Sequence, residues 1–573
     1  MEWAMIRSNS LQCDLRLILF VLAACTFLGA ANSFAQLTEM VSISSTGTQG
    51  NDISGRFSAP AISANGLIVA FDSQATTLVS GDTNLKVDVF VHDRTTNVTE
   101  RVSVTSAGVQ GNDTSTRPVI DASGNLVVFD SSANNLVLGD TNSLLDVFVH
   151  NRTTHMTERV SVSSNEAQGN SGSNTPTITA DGRYVCFISL ANNLVPGDTN
   201  GVEDVFVRDL VLGTTERVSL GDQGQQGNSS TTYGAISANG RWVAFSSFGN
   251  NFVPGDTNDT FDTFVRDLQT GTTERVSVDS NEQQANASSV GPSVSNDGVV
   301  AFYSDATNLV LGDTNGVRDI FARDVAAGTT ERISVSSDEV QSDGSSPEAG
   351  VRGFVASNPQ ITPDGRYVAF FSSGANLVPN DTNVCGPSFQ SPPGRCPDVF
   401  VRDRIAGTTT RVGVAGDGTQ PNDRTSDPAM TPNGQMFAFF SCAGNLVPGD
   451  ANVCQPVFPI SCPDIFVHET GSVTGVPGEA LVSSALSLIA QPNPMRGSVQ
   501  LSMAGANPYE AWLVVYDVAG RVVRTLAKGI LLRDSITWDG RDEYGAPAKS
   551  GTYFVRFTSD NRAVTRKITL LQE

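Results

Sequence analysis

From residue 38 to residue 470, apolar positions recur with a period of two in short bursts, separated by Gly, Asn, Asp and Thr. One burst reads "RYVCFIS" (183–189) and another "DVFVRD" (204–209). Both are rich in Val, Ile, Phe and Tyr. Such alternation predicts half-buried β-strands, and the Asp-Gly and Asn-Gly pairs between bursts predict tight hairpin turns. The bursts keep one order. A short segment ending in a turn ("PTITADG", 176–182) leads into an alternating segment, a polar "GDTN" loop, "DVFVRD", "GTT" and "ERVSL" (216–220). Each unit therefore predicts four antiparallel strands, here lettered A to D in chain order.

The unit occurs seven times. The Asp of its GDTN loop stands at Asp82, Asp140, Asp198, Asp256, Asp313, Asp381 and Asp450, at intervals of 58, 58, 58, 57, 68 and 69 residues. The sixth and seventh copies are longer because each carries a Cys-bracketed, Pro-containing insertion after that Asp, and the sixth has extra residues ahead of it as well. Seven four-stranded units predict a seven-bladed β-propeller. The termini are offset in a way that suits a ring. "TEMVSIS" (38–44) matches strand D of the other units ("TERVSVT", 99–105), while the seventh unit stops after its strand C, "DIFVHE" (464–469). Pairing the two would leave no open sheet edge.

These repeats resemble a known family. "ITADGRYVCF" (178–187) and "ITPDGRYVAF" (361–370), each with its "DVFVRD", are similar to the TolB-type, WD-like β-propeller repeats of bacterial exported proteins. The resemblance spans residues 37–470 and implies the fold. It leaves activity open, because the family includes binding platforms, accessory domains of peptidases and some lyases.

The repeat pattern ends at residue 470. Residues 471–490 read as a linker, and 491–573 hold six or seven short alternating segments, enough for a small β-sandwich. "YDVAGRVVRTL" (516–526), "WDGRDEYG" (538–545) and "SGTYFVRF" (550–557) resemble the FlgD-type immunoglobulin-like domain and the C-terminal sorting domain of the type IX secretion system. That resemblance implies outer-membrane translocation, with display at the cell surface or release, and the type IX machinery as a partner. Trp538 and Tyr553 read as core residues, and Gly540, Gly545 and Gly551 as turn positions. The fold expected is all-β: a seven-bladed propeller over 36–470 and an immunoglobulin-like β-sandwich over 491–573.

Residues 1–35 read as a signal peptide. Arg7 and Arg16 come before an apolar run, and Ser33 and Ala35 fit small-residue cleavage before Gln36. "LAAC" (Leu22 to Cys25) also matches a lipoprotein box, but the residues after Cys25 stay apolar, which favours cleavage at Ala35. No other run is long enough to span a bilayer. A net charge of −23 argues against nucleic acid as a partner. In an exported chain, Cys385 with Cys396 and Cys454 with Cys462 read as two local disulfides. Zinc is disfavoured because no His lies near them in sequence.

Candidate chemistry is sparse. His92, His150 and His468 follow the strand-C motif at a position held by Arg208, Arg266, Arg323 and Arg402 in other units, which suits a polar group better than a general base. No Gly-x-Ser-x-Gly elbow, His-Glu-x-x-His or P-loop is present. Asp198, Asn200 and Asp204, with their repeat equivalents, offer oxygens at offsets 1, 3 and 7. Two readings stay open for them: an Asx-type turn, or a calcium site that falls short of an EF-hand. A Gln recurs in every D-to-A connection, from Gln49 to Gln420, on the same face as the GDTN loops, and is expected to bond the neighbouring loop's backbone and lock blade to blade.

No catalytic residue is assigned. The expectation is a non-enzymatic binding or scaffold protein at the cell surface, with a protein or glycan ligand on the propeller face. The alternative is a propeller enzyme, a polysaccharide lyase or hydrolase, with its site at the channel mouth. Unlike polar residues from different blades at one mouth would separate the two.

Overall fold

The computed structural model describes residues 37–55, 57–346, 358–385, 394–450 and 463–470, and in the C-terminal part 487–491, 495, 497–504, 511–518, 520–529, 535–559 and 562–571. The signal segment with Cys25, Ala35 and Gln36, the Cys454 and Cys462 pair, and most of both insertions lie outside these residues. Among the described residues every regular element is a β-strand, and no helix is long and apolar enough to cross a membrane.

The repeats form seven four-stranded antiparallel sheets. Blade three is representative. Its strands are A (Ser173–Ile178), B (Tyr184–Ser189), C (Asp204–Asp209) and D (Thr214–Arg217), hydrogen-bonded in that order. B and C are buried on both faces, which is why both are almost continuously apolar. A Phe from each stacks at its centre, Phe187 on Phe206 at 5.8 Å between centroids. Six further blades repeat the pair, from Phe71–Phe90 to Phe439–Phe466.

The core lies between blades. One buried cluster joins Val128 and Val147 of blade two to Phe187 and Leu194 of blade three. Similar clusters fill the other interfaces, and one joins Val69 and Phe71 of blade one to Phe440 and Ile465 of blade seven. Seven clusters for seven interfaces describe a closed ring. The N-terminal strand Leu37–Met40 completes blade seven by pairing antiparallel with its strand C (Asp464–Glu469), Leu37 opposite Glu469 and Met40 opposite Phe466.

The A strands line the central channel. At its far end their A-to-B turns are bonded into a chain, with the Ala64, Ala122 and Ala180 amides donating to the Ala122, Ala180 and Ala238 carbonyls at 2.9–3.0 Å. At the near end strand A breaks its register. The pairing shifts between Thr116 and Val119, Asn174 and Thr177, Thr232 and Ala235, Val290 and Ser293, and Ser426 and Ala429. The cause is Pro118, Pro176, Pro292 or Pro428, which donates no ladder bond, with Gly234 in its place in blade four.

Residues 487–571 form two further sheets. Ser487–Gln491, Val499–Ala504 and Ser535–Trp538 make one, and Ala511–Asp517, Val522–Gly529, Gly551–Ser559 and Arg562–Leu570 make the other. Both sheets contribute to one core around Trp538, whose ring meets Tyr553 edge-on at 5.2 Å. The indole N–H donates to the Arg541 carbonyl and the Tyr553 hydroxyl to that of Lys549, so neither polar tip is buried unpaired.

Candidate functional site at the channel mouth

The GDTN loops and the strand-A bulges lie at one end of the ring, and the loops repeat from blade to blade. In blade three, Asp198 and Asp204 converge on Arg217 of strand D, at 3.1 and 3.4 Å. The Ser219 hydroxyl donates to Asp204 at 2.6 Å, and Asn200 turns its amide nitrogen, a donor, to the same carboxylate at 2.9 Å. Burial raises the Asp198 pKa, Asp204 adds to the rise, and Arg217 offsets it. The same Asp–Arg–Asp arrangement recurs in blades one, two, four, five and six, on Arg101, Arg159, Arg275, Arg332 and Arg411. In blade seven the equivalent strand-D residue is Met40.

The recurrent Gln acts within its own blade rather than on a neighbour's backbone. Gln168 donates to Asp140 and Asp146 at 2.9 and 3.0 Å. The lock between blades comes two residues on: Asn170 bonds Asn192, and Asn193 bonds the Gln168 carbonyl. Arg217→Met, copying blade seven, is expected to lower stability by about 3 kcal/mol, since it strips the cation from two buried carboxylates. Urea unfolding checks this. Because a guanidinium sits at the pair in six blades and the Gln49 amide donates to both carboxylates in the seventh, melts with added calcium and with a chelator are expected to coincide.

The histidines are built into the sheets. His92, His150 and His468 are buried and bond strand-D hydroxyls of Thr99, Thr157 and Thr38 through Nδ1 at 2.8–2.9 Å. Burial pushes His468 down to about 4. Cys385 and Cys396 form a disulfide at the base of the blade-six insertion.

The mouth itself is not symmetric. At each bulge one residue stands before the inner-strand Pro or Gly, and several adopt the left-handed backbone: Arg117, Thr175, Tyr233, Gly291 and Asp427 have φ between 53° and 69°. Such φ is uncommon outside Gly. Around the ring the residues are Ala59, Arg117, Thr175, Tyr233, Gly291, Asn358 and Asp427, different in every blade. A second unlike set lies behind them on strand B: Asp72, Asp130, Ile188, Ser246, Tyr303, Phe371 and Phe440.

The two sets interlock. Buried Asp130 accepts from the Thr116 hydroxyl at 2.7 Å, from Arg117 at 3.0 Å and from the Thr175 amide of blade three at 3.2 Å. Asp72, at the same place on blade one, is equally buried, yet among the described residues its one side-chain donor is the Ser58 hydroxyl at 3.2 Å, and Oδ1 has no partner there. Desolvation pushes its pKa up to about 7, against the lowering effects of Ser58, the Phe57 amide and Arg117; Asp130 pushes the same way as burial. Across the ring Tyr303 bonds Tyr233 and lies under the Arg318 guanidinium at 4.9 Å. Gly291 makes room for it: a Cβ there would come within 2.4 Å of Tyr303 and 2.6 Å of the Asn358 amide oxygen.

Among the described residues the mouth thus collects buried polar atoms without partners from five blades: Asp72 Oδ1, Arg117 Nε, Thr232 Oγ1, Ser293 Oγ and Asn358 Oδ1. A folded protein pairs nearly all such atoms, and each orphan costs about 1–3 kcal/mol, so a cluster of them points to a ligand. Arg117, Ser293 and Asn358 of this set, with Ser58, Thr175 and Tyr233, line a cavity of about 370 Å³ that is apolar deeper in at Ile62, Ile120 and Ile178.

No family model matches the chain, and no curated protein matches it. Its likeness is to solved propellers. An oligogalacturonate lyase from Vibrio parahaemolyticus is 12% identical, with 76% of this chain and 97% of that chain covered and a TM-score of 0.43. An oligogalacturonate lyase in complex with manganese gives 13%, 76%, 97% and 0.43. A putative TolB from Agrobacterium tumefaciens is 14% identical over 65% of this chain and 94% of that chain, with a TM-score of 0.32. At these identities the likeness is one of fold. The expectation of a non-enzymatic scaffold is corrected in favour of its alternative. The channel mouth carries the unlike polar residues from different blades that separate the two readings.

Proposed function

We propose that the chain is an exported enzyme that cleaves a polysaccharide at the mouth of its propeller channel. The observation that carries this reading is the break in symmetry. Seven blades built on one repeated motif present seven different residues at one ring position, and five of the blades leave buried polar atoms without partners there among the described residues. A structural role would repeat with the blades, as the Asp–Arg–Asp sets do. A bound substrate needs different partners on each side.

Export rests on the apolar leader with its Ala35–Gln36 junction. The C-terminal module is read as a FlgD-type immunoglobulin-like domain that serves type IX secretion or surface anchoring, on the three motifs quoted above. The secreted form, assayed against a panel of neutral and acidic polysaccharides, is expected to release new chain ends from at least one of them. Arg117→Ala is expected to lower that rate by about 100-fold or more, the scale of one lost charged transition-state contact. A melting curve separates lost chemistry from lost fold. A panel with no polymer cleaved would overturn the reading.

A further inference from the structure

Asp72 and Asp130 occupy the same strand-B position on adjacent blades, and their surroundings are opposite. Asp130 accepts three donors, one of them cationic Arg117. Asp72 is buried to the same degree and, among the described residues, has Ser58 as its one side-chain donor and leaves an oxygen unpartnered, an environment that holds a carboxylic acid. A carboxyl group rich in donors beside one that lacks them suits a division of acid and base roles between the two. Neither is needed by the blade, since the equivalents are Ile188, Ser246, Tyr303, Phe371 and Phe440. Ser58, which bonds Asp72, is itself part of the channel wall.

Resting on the enzymatic reading above, we infer that the site hydrolyses a glycosidic bond, with Asp72 supplying the proton through Ser58 and Asp130 taking one from water. In the reaction Ser58 Oγ–H protonates the glycosidic oxygen while Asp72 reprotonates Ser58. The bond from the anomeric carbon to that oxygen breaks, and its electron pair stays with the leaving sugar. A water oxygen bonds the anomeric carbon and its proton passes to Asp130. Solvent then returns a proton to Asp72 and removes one from Asp130. Arg117, bonded to Asp130, also acts on Asp72 through space, so it balances the charge that moves between them.

The test uses the full secreted chain, the polymer it cleaves, and nitrophenyl glycosides, whose leaving group needs no proton. Cleavage in heavy-oxygen water is expected to give saturated products labelled at the new reducing end. Asp72→Asn is expected to slow polymer cleavage by about 1000-fold while largely sparing the nitrophenyl substrate, and to remove the fall in rate above neutral pH. Ser58→Ala should behave alike, and Ser58→Thr should restore most of the rate. Unsaturated, unlabelled products overturn the hydrolytic assignment and leave the enzymatic reading intact, as does an Asp72→Asn variant equally active on both substrates. Failure to cleave any polymer or glycoside overturns both.

Discussion

A chain lacking residues 37–44 is expected not to hold its propeller together at ambient temperature. The segment supplies the outer strand of blade seven, paired with Asp464–Glu469 over four residues. Val41 is fully buried in the cluster that joins blades one and seven, and the Ser42 hydroxyl donates to buried Asp464 at 2.6 Å. Burying Val41 contributes about 2 kcal/mol and each ladder bond about 1 kcal/mol. The loss of about 6 kcal/mol in all is comparable with the whole stability of an ordinary domain. It would also expose the strand-C edge of blade seven, which invites edge-to-edge association. Circular dichroism melts and gel filtration check this: the expected result is a low, broad transition with aggregated material. Val41→Ala, a milder change, is expected to cost about 2 kcal/mol. A monomeric truncated chain with an unchanged melting temperature would show that the ring does not depend on its closing strand.

The propeller was legible because its signal is repeated. The Phe of "RYVCF" and the Phe of "DVFVRD" recur in every unit, and they stack in every blade. Their alternation states the strands and the 58-residue interval states the blades. The chemistry of the GDTN face was less legible. Asp198 and Asp204 were visible as a pair, but the partner that meets them is Arg217, on a strand paired beside them rather than in their loop. The Gln reading held for the bond to the loop backbone, since Gln168 accepts from the Thr141 amide at 3.2 Å, but that loop belongs to the same blade, so the bond does not lock blade to blade.

The mouth was missed for the opposite reason. A search for repeated motifs averages out the positions that differ, and the functional positions are those that differ. The residue before the inner-strand Pro or Gly reads Ala, Arg, Thr, Tyr, Gly, Asn and Asp around the ring, in a unit that keeps its GDTN and strand-C motifs. That contrast was present in the sequence. What could not be read there is the bulge, which places these residues in the channel wall at a backbone angle few side chains adopt. Nor could the burial of Asp72 be read from its neighbours, because "AFDS" and "VFDS" differ from "CFIS" by one side chain and say nothing of donors.

That burial gives the second large effect, a pH dependence with a definite sign. Asp72 titrates at about 7 in the folded protein, against a usual carboxylate value of 3.8, chiefly because burial disfavours its charged form. A folded-state pKa above the unfolded one means that folding takes up a proton between the two values. The contribution of Asp72 to stability is therefore fully present below about pH 4 and is lost as pH rises through about 7. The loss over that window amounts to about 4 kcal/mol, since a proton taken up on folding is worth about 1.36 kcal/mol for every pH unit crossed. Asn cannot ionise, so Asp72→Asn removes the slope. Its amide also brings a donor into a buried site, which lowers stability by the same amount at every pH.

The informative quantity is thus the difference between the two proteins. Measured by urea unfolding, the variant is expected to be the weaker protein at pH 4 and to gain on the wild type steadily toward pH 8. Other groups do not confuse the comparison. Asp267, held down to about 2 by Arg241, and His468, held down to about 4 by burial, titrate alike in both proteins and cancel. Arg117 and Asp130 are the charged groups that act on Asp72 through space, with opposite signs. Arg117→Gln should therefore raise the Asp72 pKa further and move the rise of the difference to higher pH. A difference that stays flat from pH 4 to pH 8 would mean that Asp72 is ionised throughout, and with it the proton donor at the channel mouth would be gone.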